Sequence, residues 1–495
     1  MSSVVGIEKV LIANRGEIAL RVAKSLRRLG IKSAAILHSQ DTGSPIADAV
    51  DEIHTLEGET PVAAHLDADQ IIAIARRIGA DALHPGYGFL AENADFAEAV
   101  EAAGIRWIGP TPASIRLMGD KIESRRFVGG QGYPLTPSAT EEENPDSFED
   151  RAAQIGFPLL IKASAGGGGK GMQIVKAKEG LAPAIELARS EAERYFADGR
   201  IYAERYVEAP RHVEVQILAD AHGHVLHLGE RDCSIQRRFQ KLIEETPAPS
   251  MSDELRRRIC DQAVGIARSA NYRNAGTVEF VLDPEGDFYF LEMNTRLQVE
   301  HPVTEMVTGV DLVEQQIRVA AGEALSISQE EIRFEGASIE LRLCAEDPDE
   351  DFRPAVGELL LVNPPTGPGV RFDSGVQQGQ KVTAAFDPML AKLIVHGANR
   401  SEAIERARKA VSETVLLGCT TNGAYLERIL AHPAFAAGQV ETGFIPAHAE
   451  DLAAPVLEPV ERATILAAAA LSDADFRERV AAVPEPHASM GAWQN

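Results

Sequence analysis

A chain of 495 residues with 45% hydrophobic content exceeds what one core fills, so about two to four domains or subdomains are expected. Forty-nine basic against 74 acidic side chains leave a net charge of −25, which repels a polyanion and sets nucleic acid aside as a partner. The four cysteines, Cys233, Cys260, Cys344 and Cys419, form no CxxC pair, which disfavours a zinc knuckle or disulfide framework and fits a reducing cytoplasm.

In chain order, the N-terminus runs directly into an apolar stretch, Lys9 to Ala13, without a cleavable leader, and no later stretch approaches the ~18 apolar residues of a membrane span. Export and membrane insertion are disfavoured. Short apolar runs then alternate with amphipathic ones: VLIA, the helical GEIALRVAKSLRRLG, SAAILH, QIIAIARRIG and ADALHP. This is α/β patterning. The composition turns to Gly, Pro, Ser and Thr from Gly129 to Pro137, and Glu141 to Pro145 reads as an exposed connection, so a domain boundary is expected near 120 to 135.

Strands resume at 157–162 and 172–175 around AGGGGKG. The consecutive glycines Gly166, Gly167, Gly168 and Gly169 let backbone N–H groups approach phosphates that a Cβ would obstruct. A dinucleotide-binding turn must open a helix, yet this loop continues into the strand pattern Met172 to Val175; a P-loop needs Ser or Thr where Gly171 follows Lys170. A glycine-rich hairpin tip remains. The glycines alone leave open whether it closes over a nucleotide or is a plain surface hairpin, and Lys162 beside it offers a cation for phosphates.

After two further strand patterns, HVEVQILAD and HVLHLGE, residues 277–282 and 287–294 read as a hairpin with an acid inside each apolar run. Burying Glu279 and Glu292 is costly without compensation, and Mg²⁺ suits them, with Asn294 sharing a strand face with Glu292. The alternative is a hairpin whose acids face solvent. The segment Arg296 to Pro302 places a cation four residues before an acid, Glu300, a pair that suits deprotonation of a small anion; a surface ion pair is the plainer reading. A strand-rich unit follows from about residue 336, with SEAIERARKAVSETVL as a helix, and the last forty or so residues are Ala-rich and Pro-punctuated, a linker or helix.

Taken together, KVLIANRGEIALR (9–21), HPGYGFLAEN (84–93), GGGGKGM (166–172), ERDCSIQRRFQK (230–241), EMNTRLQVEHPVTE (292–305) and RLCAEDP (342–348) resemble the ATP-grasp superfamily and, within it, the biotin carboxylases, over roughly residues 7 to 448. The resemblance implies mixed α/β and α+β folding. A Rossmann-like N-terminal subdomain covers 1–120, and an ATP-grasp domain with a mobile glycine-rich lid at about 135–206 covers 121–330. A C-terminal biotin carboxylase subdomain covers 331–448, and a linker or start of a further domain 449–495.

It implies ATP, bicarbonate and two Mg²⁺ or Mn²⁺ ions, with biotin as carrier-bound substrate. Lys121, Lys162, the four loop glycines, Glu204, Val207, His212 and Gln236 match nucleotide-binding positions, and Glu279, Glu292 and Asn294 match metal ligands. Lys241, Arg296, Gln298 and Val299 match a bicarbonate pocket, Glu300 the general base, and Arg342 the arginine that stabilises the biotin enolate.

Two positions depart: Phe239 stands where relatives often carry His, and Val207 replaces the commoner Leu. His84, Tyr87 and His301 are expected to be structural, Asp347 to Asp351 a solvated turn, and Cys233 an unactivated thiol. No Ala-Met-Lys-Met tetrapeptide is present. The resemblance therefore implies a biotin carboxyl carrier protein or domain elsewhere, a carboxyltransferase partner and homodimerisation. The chain is expected to be an acyl-CoA carboxylase α subunit or a fragment of one. Pyruvate or urea carboxylases, another ATP-grasp carboxylate ligase, and an inactive nucleotide-binding subunit are the alternatives.

Overall fold

Strand β1 (Lys9–Ile12) sets the pattern of the N-terminal third. Its side chains alternate faces, as a strand requires. Val10 and Ile12 pack with Ile18, Val22 and Leu26 of helix α1 (Gly16–Leu29), whereas Leu11 packs on the other face with Ile71 and Ala75 of helix α2 (Ala68–Ile78). Gly30, at φ +72, closes α1 in the left-handed conformation that glycine adopts at no steric cost. With β2 (Lys32–His38), β3 (Glu52–Leu56), β4 (Ala82–His84) and β5 (Arg106–Trp107), β1 forms a parallel five-stranded sheet, order β3-β2-β1-β4-β5. Its carboxyl ends open towards Asn14, Arg15 and the 85–88 loop, where an open parallel sheet holds ligands.

The structure, a computed structural model, describes residues 4–41, 43–165, 172–455 and 458–472. Residues 1–452 form one unit and 453–495 another. After helix α3 (Lys121–Gly130) comes a small antiparallel sheet, order β6-β9-β7-β8: β6 (Ser138–Thr140), β7 (Leu159–Ala163), β8 (Gln173–Val175) and β9 (Ile201–Arg205), covered by helix α4 (Leu181–Phe196). Leu160 opposes Ile174 across β7 and β8. The expected nucleotide-binding glycines Gly166, Gly167, Gly168 and Gly169 lie between these strands, outside the described residues.

One antiparallel sheet of eight strands carries the rest. In chain order these are β10 (Arg211–Ala219), β11 (Val225–Arg237), β12 (Gln240–Thr246), β13 (Asn274–Leu282), β14 (Phe288–Asn294), β15 (Ala337–Cys344), β16 (Val370–Ser374) and β17 (Met389–Gly397); in space they run β14-β13-β10-β11-β12-β15-β17-β16. Pairing of Ile243 with Leu341 joins the central and C-terminal segments into one sheet. Helix α5 (Asp253–Ser269) covers an apolar face through Ile259, Ala263 and Ile266 against Val213, Val215 and Phe280. The opposite face of those strands, one residue out of phase, carries His212, Glu214, Glu279, Glu292 and Asn294.

Helix α6 (His301–Thr308) starts directly after Glu300. Helix α7 (Arg400–Glu413) packs Ala403, Ala407 and Val411 on Leu341 and Leu393. It stops before the expected Val415–Leu416 end: Thr414 turns extended and residues 415–417 pair with 361–363, a role that β-branched Val415 suits. In the second unit, residues 459–472 form helix α8. No described helix is long and apolar enough to cross a membrane.

Candidate active site

The polar face of the large sheet and the carboxyl end of the parallel sheet border one cleft of roughly 1550 Å³. Lys121, Lys162, Glu204, Val207, His212, Gln236, Lys241, Glu279, Glu292, Asn294, Arg296, Gln298, Val299 and Arg342 all line it. Residues from eight strands, one helix start and two connecting segments thus converge, although they span more than two hundred positions of sequence. Glu300 lies deeper, fully buried, and contacts the cleft through Lys241 and Arg342.

Lys241 is the hub. Its Nζ lies 2.6 Å from Glu214 Oε2, 2.9 Å from Glu279 Oε1 and 2.6 Å from Glu300 Oε1. Arg342 joins Glu300 Oε2 at 3.0 Å to Glu244 Oε1 at 2.6 Å. Burial alone would drive the Glu300 carboxyl up, but Lys241, Arg342 and Arg231 hold it well below the usual carboxylate range. Glu300 is therefore an anion caged by two cations that also face the cleft. Burial and Glu300 push neighbouring Glu214 up to about 7, although Glu214 also accepts from Arg231 Nε at 2.6 Å.

The expected metal cluster assembles across the hairpin. Glu279 and Glu292 face each other in register, and Asn294 Nδ2 donates to Glu279 Oε1 at 2.8 Å. Lys121 Nζ sits 2.8 Å from Glu292 Oε2, and His212 Nε2 lies 2.9 Å from Glu279 Oε2. Three oxygen donors facing a cleft, with ammonium and imidazole groups supplying the positive charge, form a set that fits a hard divalent cation. Elsewhere along the cleft, Glu204 is bound by Lys162, by Arg125 at 2.9 Å and by Thr136 Oγ1 at 2.8 Å. Burial raises its carboxyl, but the two cations pull it down to about 2.

Arg296 and Glu300 do not pair directly. Arg296 Nε donates to Glu92 Oε2 at 2.8 Å, and its terminal nitrogens donate to Asn294 Oδ1 and Gln298 Oε1, each at 3.0 Å. Glu92, Arg231, Glu214 and Glu244 belong to the site although the sequence reading passed over them. Acids inside the HVEVQILAD and KLIEET runs were the available signal, the same one that marked Glu279 and Glu292.

The residues expected to be structural are buried or bonded locally. His84 is fully buried, which drives its imidazole down to about 3, and its Nδ1 accepts from Gly86 N at 3.0 Å. His301 Nδ1 lies 2.7 Å from Gln298 O, and burial holds its imidazole well below the usual range. Tyr87 donates to Glu17 and lines the cleft. Cys233 Sγ stands 4.0 Å from Glu300 Oε1, and burial together with Glu214 raises its thiol far up, so it is no thiolate. Asp351 is exposed and pairs with Arg238 at 2.9 Å.

Three family models match the chain: "biotin carboxylase, N-terminal domain" over residues 6–115, "carbamoyl-phosphate synthase L chain, ATP binding domain" over 120–328, and "biotin carboxylase C-terminal domain" over 340–447. Biotin carboxylase 1 of Bacillus subtilis is 44% identical over 441 residues, 89% of this chain and 98% of that protein. The mitochondrial methylcrotonoyl-CoA carboxylase subunit alpha of Dictyostelium discoideum is 46% identical over 467 residues, 94% of this chain and 67% of the relative. The rat subunit is 46% identical over 448 residues, 90% of this chain and 63% of the relative, so this chain spans about two thirds of such subunits.

Among solved structures, the biotin carboxylase domain dimer of Hydrogenobacter thermophilus 2-oxoglutarate carboxylase, in complex with MgADP, ADP and bicarbonate, matches with a TM-score of 0.89 at 42% identity. The match covers 91% of this chain and 99% of that one. A biotin carboxylase complex from Campylobacter jejuni matches with a TM-score of 0.87 at 40% identity, covering 89% of this chain and 99% of that one.

Proposed function

Because the chain belongs to the biotin carboxylase family, we propose that its cleft activates bicarbonate with ATP and carboxylates carrier-borne biotin, as the first half-reaction of an acyl-CoA carboxylase. The observation that carries this reading is the caged carboxylate: Glu300, fully buried, held by Lys241 and Arg342 at the floor of a nucleotide-sized cleft.

Lys121 and Lys162 are the phosphate cations, with Glu204, Val207, His212 and Gln236 about the nucleotide. Glu279, Glu292 and Asn294 are the ligands of Mg²⁺ or Mn²⁺, which supplies charge neutralisation to the transferring phosphoryl group. Lys241, Arg296, Gln298 and Val299 receive bicarbonate. An anion drawing Lys241 and Arg342 towards itself weakens their hold on Glu300 and makes that carboxylate a stronger base just when its substrate arrives. Glu300 takes the bicarbonate proton, the bicarbonate oxygen attacks the γ-phosphorus, and ADP leaves with the bonding pair. Carboxyphosphate then divides into CO₂ and phosphate, the phosphate removes the proton from biotin N1′, and N1′ attacks CO₂. Arg342 stabilises the enolate formed on the biotin ureido oxygen.

In this reading 1–120, 121–330 and 331–448 act as N-terminal, ATP-grasp and C-terminal domains. The relatives support a biotin carrier and a carboxyltransferase as partners, and we assign methylcrotonoyl-CoA or another acyl-CoA as final acceptor over pyruvate. Homodimerisation rests on the dimer described for the Hydrogenobacter domain, and a cytoplasmic site of action on four unpaired cysteines. Phosphate release from ATP, measured with bicarbonate and with or without free biotin, tests the reading: acceleration by biotin supports it and its absence overturns it.

A further inference from the structure

Lys392 is fully buried, yet no step above uses its charge. It lies on β17 directly opposite Arg342 of β15. Its Nζ donates to the Val299 carbonyl at 2.6 Å and stands 3.2 Å from Glu17 Oε1. Glu17, at the start of α1, also accepts from Tyr87 of the 85–88 loop. A buried ammonium therefore joins the C-terminal strand, the segment that ends in Glu300, and the carboxyl end of the parallel sheet. Removing an ammonium from water is expensive, and a fold bears that cost where its geometry rewards it. Neither oxygen of nearby Glu340, itself fully buried, has a hydrogen-bond partner among the described residues.

Resting on the reading of Glu300 as the base, we propose that Lys392 is a positioning residue: by gripping the Val299 carbonyl it fixes the 298–300 backbone, and with it the bicarbonate pocket and the aim of Glu300. The Glu300 side chain is held from the cleft side by Lys241 and Arg342; its backbone is held from behind by Lys392. Glu17 is the counter-charge that keeps Lys392 on target. Because the grip acts on the bicarbonate segment and not on Lys162 or Glu204, its loss falls on bicarbonate and on turnover, leaving ATP binding in place.

The test compares Lys392→Met, Lys392→Arg and Glu17→Gln with the wild type in the full chain, measuring KM for bicarbonate, KM for ATP, kcat and the thermal unfolding midpoint. Lys392→Met is expected to lower kcat/KM for bicarbonate roughly tenfold to a hundredfold, with KM for ATP within about twofold, and Lys392→Arg to restore most of the loss. A folded Lys392→Met protein with wild-type bicarbonate kinetics overturns the proposal. If Lys392→Met does not fold, Glu17→Gln decides: a rise in KM for bicarbonate with KM for ATP unchanged supports the grip, and unchanged bicarbonate kinetics refute it. A wild type without bicarbonate-dependent ATP cleavage refutes the functional reading itself, a separate result.

Discussion

Lys241 Nζ and Glu300 Oε1 meet at 2.6 Å beneath the cleft, and the same ammonium also holds Glu214 and Glu279. One lysine thus balances three buried carboxylates that come from different strands and a loop. Replacing Glu300 with Gln keeps the shape and removes the base. Biotin-dependent phosphate release is expected to fall about 10²- to 10⁴-fold, the usual worth of a positioned proton acceptor, while nucleotide affinity stays within a few-fold. Steady-state kinetics beside nucleotide titration check this, and surviving turnover removes Glu300 from the role of base.

Arg231 and Glu214 are both fully inaccessible and pair at 2.6 Å. Replacing Arg231 with Met removes one of the two cations on buried Glu214 and leaves Lys241 as the other, which costs about 1.5–3 kcal/mol, the worth of a charged hydrogen bond. The guanidinium chloride unfolding midpoint should drop accordingly; a loss under about 1 kcal/mol shows that this buried pair does not stabilise the fold.

Glu292 contributes one of the three oxygen donors facing the cleft. Its replacement by Gln is expected to raise the Mg²⁺ concentration for half-maximal activity by about tenfold or more, with partial relief by Mn²⁺. Unchanged metal dependence excludes it as a ligand.

Glu204 carries a pH signature. Its folded-state carboxyl sits at about 2, below the ordinary 4.5, so it contributes stability above pH 4.5 that disappears as the pH falls towards about 2. A difference of that size amounts to about 3 kcal/mol. Between pH 4.5 and 2, stability of the Glu204→Gln protein should decline less steeply than that of the wild type, by urea denaturation; parallel slopes contradict the Lys162–Glu204–Arg125 grouping.

Phe239 sits at φ +67 on the rim of the cleft, 44% exposed, in a two-residue turn with Arg238 at φ +48. Histidine tolerates that backbone better and offers a polar contact. Phe239→His is expected to lower KM for ATP about fivefold, the worth of one hydrogen bond, with kcat nearly unchanged. An unaltered KM shows that this rim does not touch the nucleotide.

Much of this was legible in the sequence because the signals are local. The α1 periodicity ended by Gly30, and the acid-bearing hairpin at 277–294, follow from short-range patterning. Glu92 with Arg296, and Lys392 with Val299, were not legible, since partners 204 and 93 residues apart meet only when the sheets assemble. Reading Arg296 and Glu300 as one pair shows the limit of spacing arguments: the loop before α6 turns the two side chains towards different partners, Glu92 on one side and Lys241 with Arg342 on the other.

The central claim is that a bicarbonate oxygen attacks the γ-phosphorus of ATP in this cleft. Supplying ¹⁸O-labelled bicarbonate with ATP, Mg²⁺ and biotin, and analysing released phosphate by mass spectrometry, tests it directly. The account predicts one bicarbonate-derived ¹⁸O per phosphate, lost in Glu300→Gln along with turnover; phosphate whose new oxygen comes from water contradicts it.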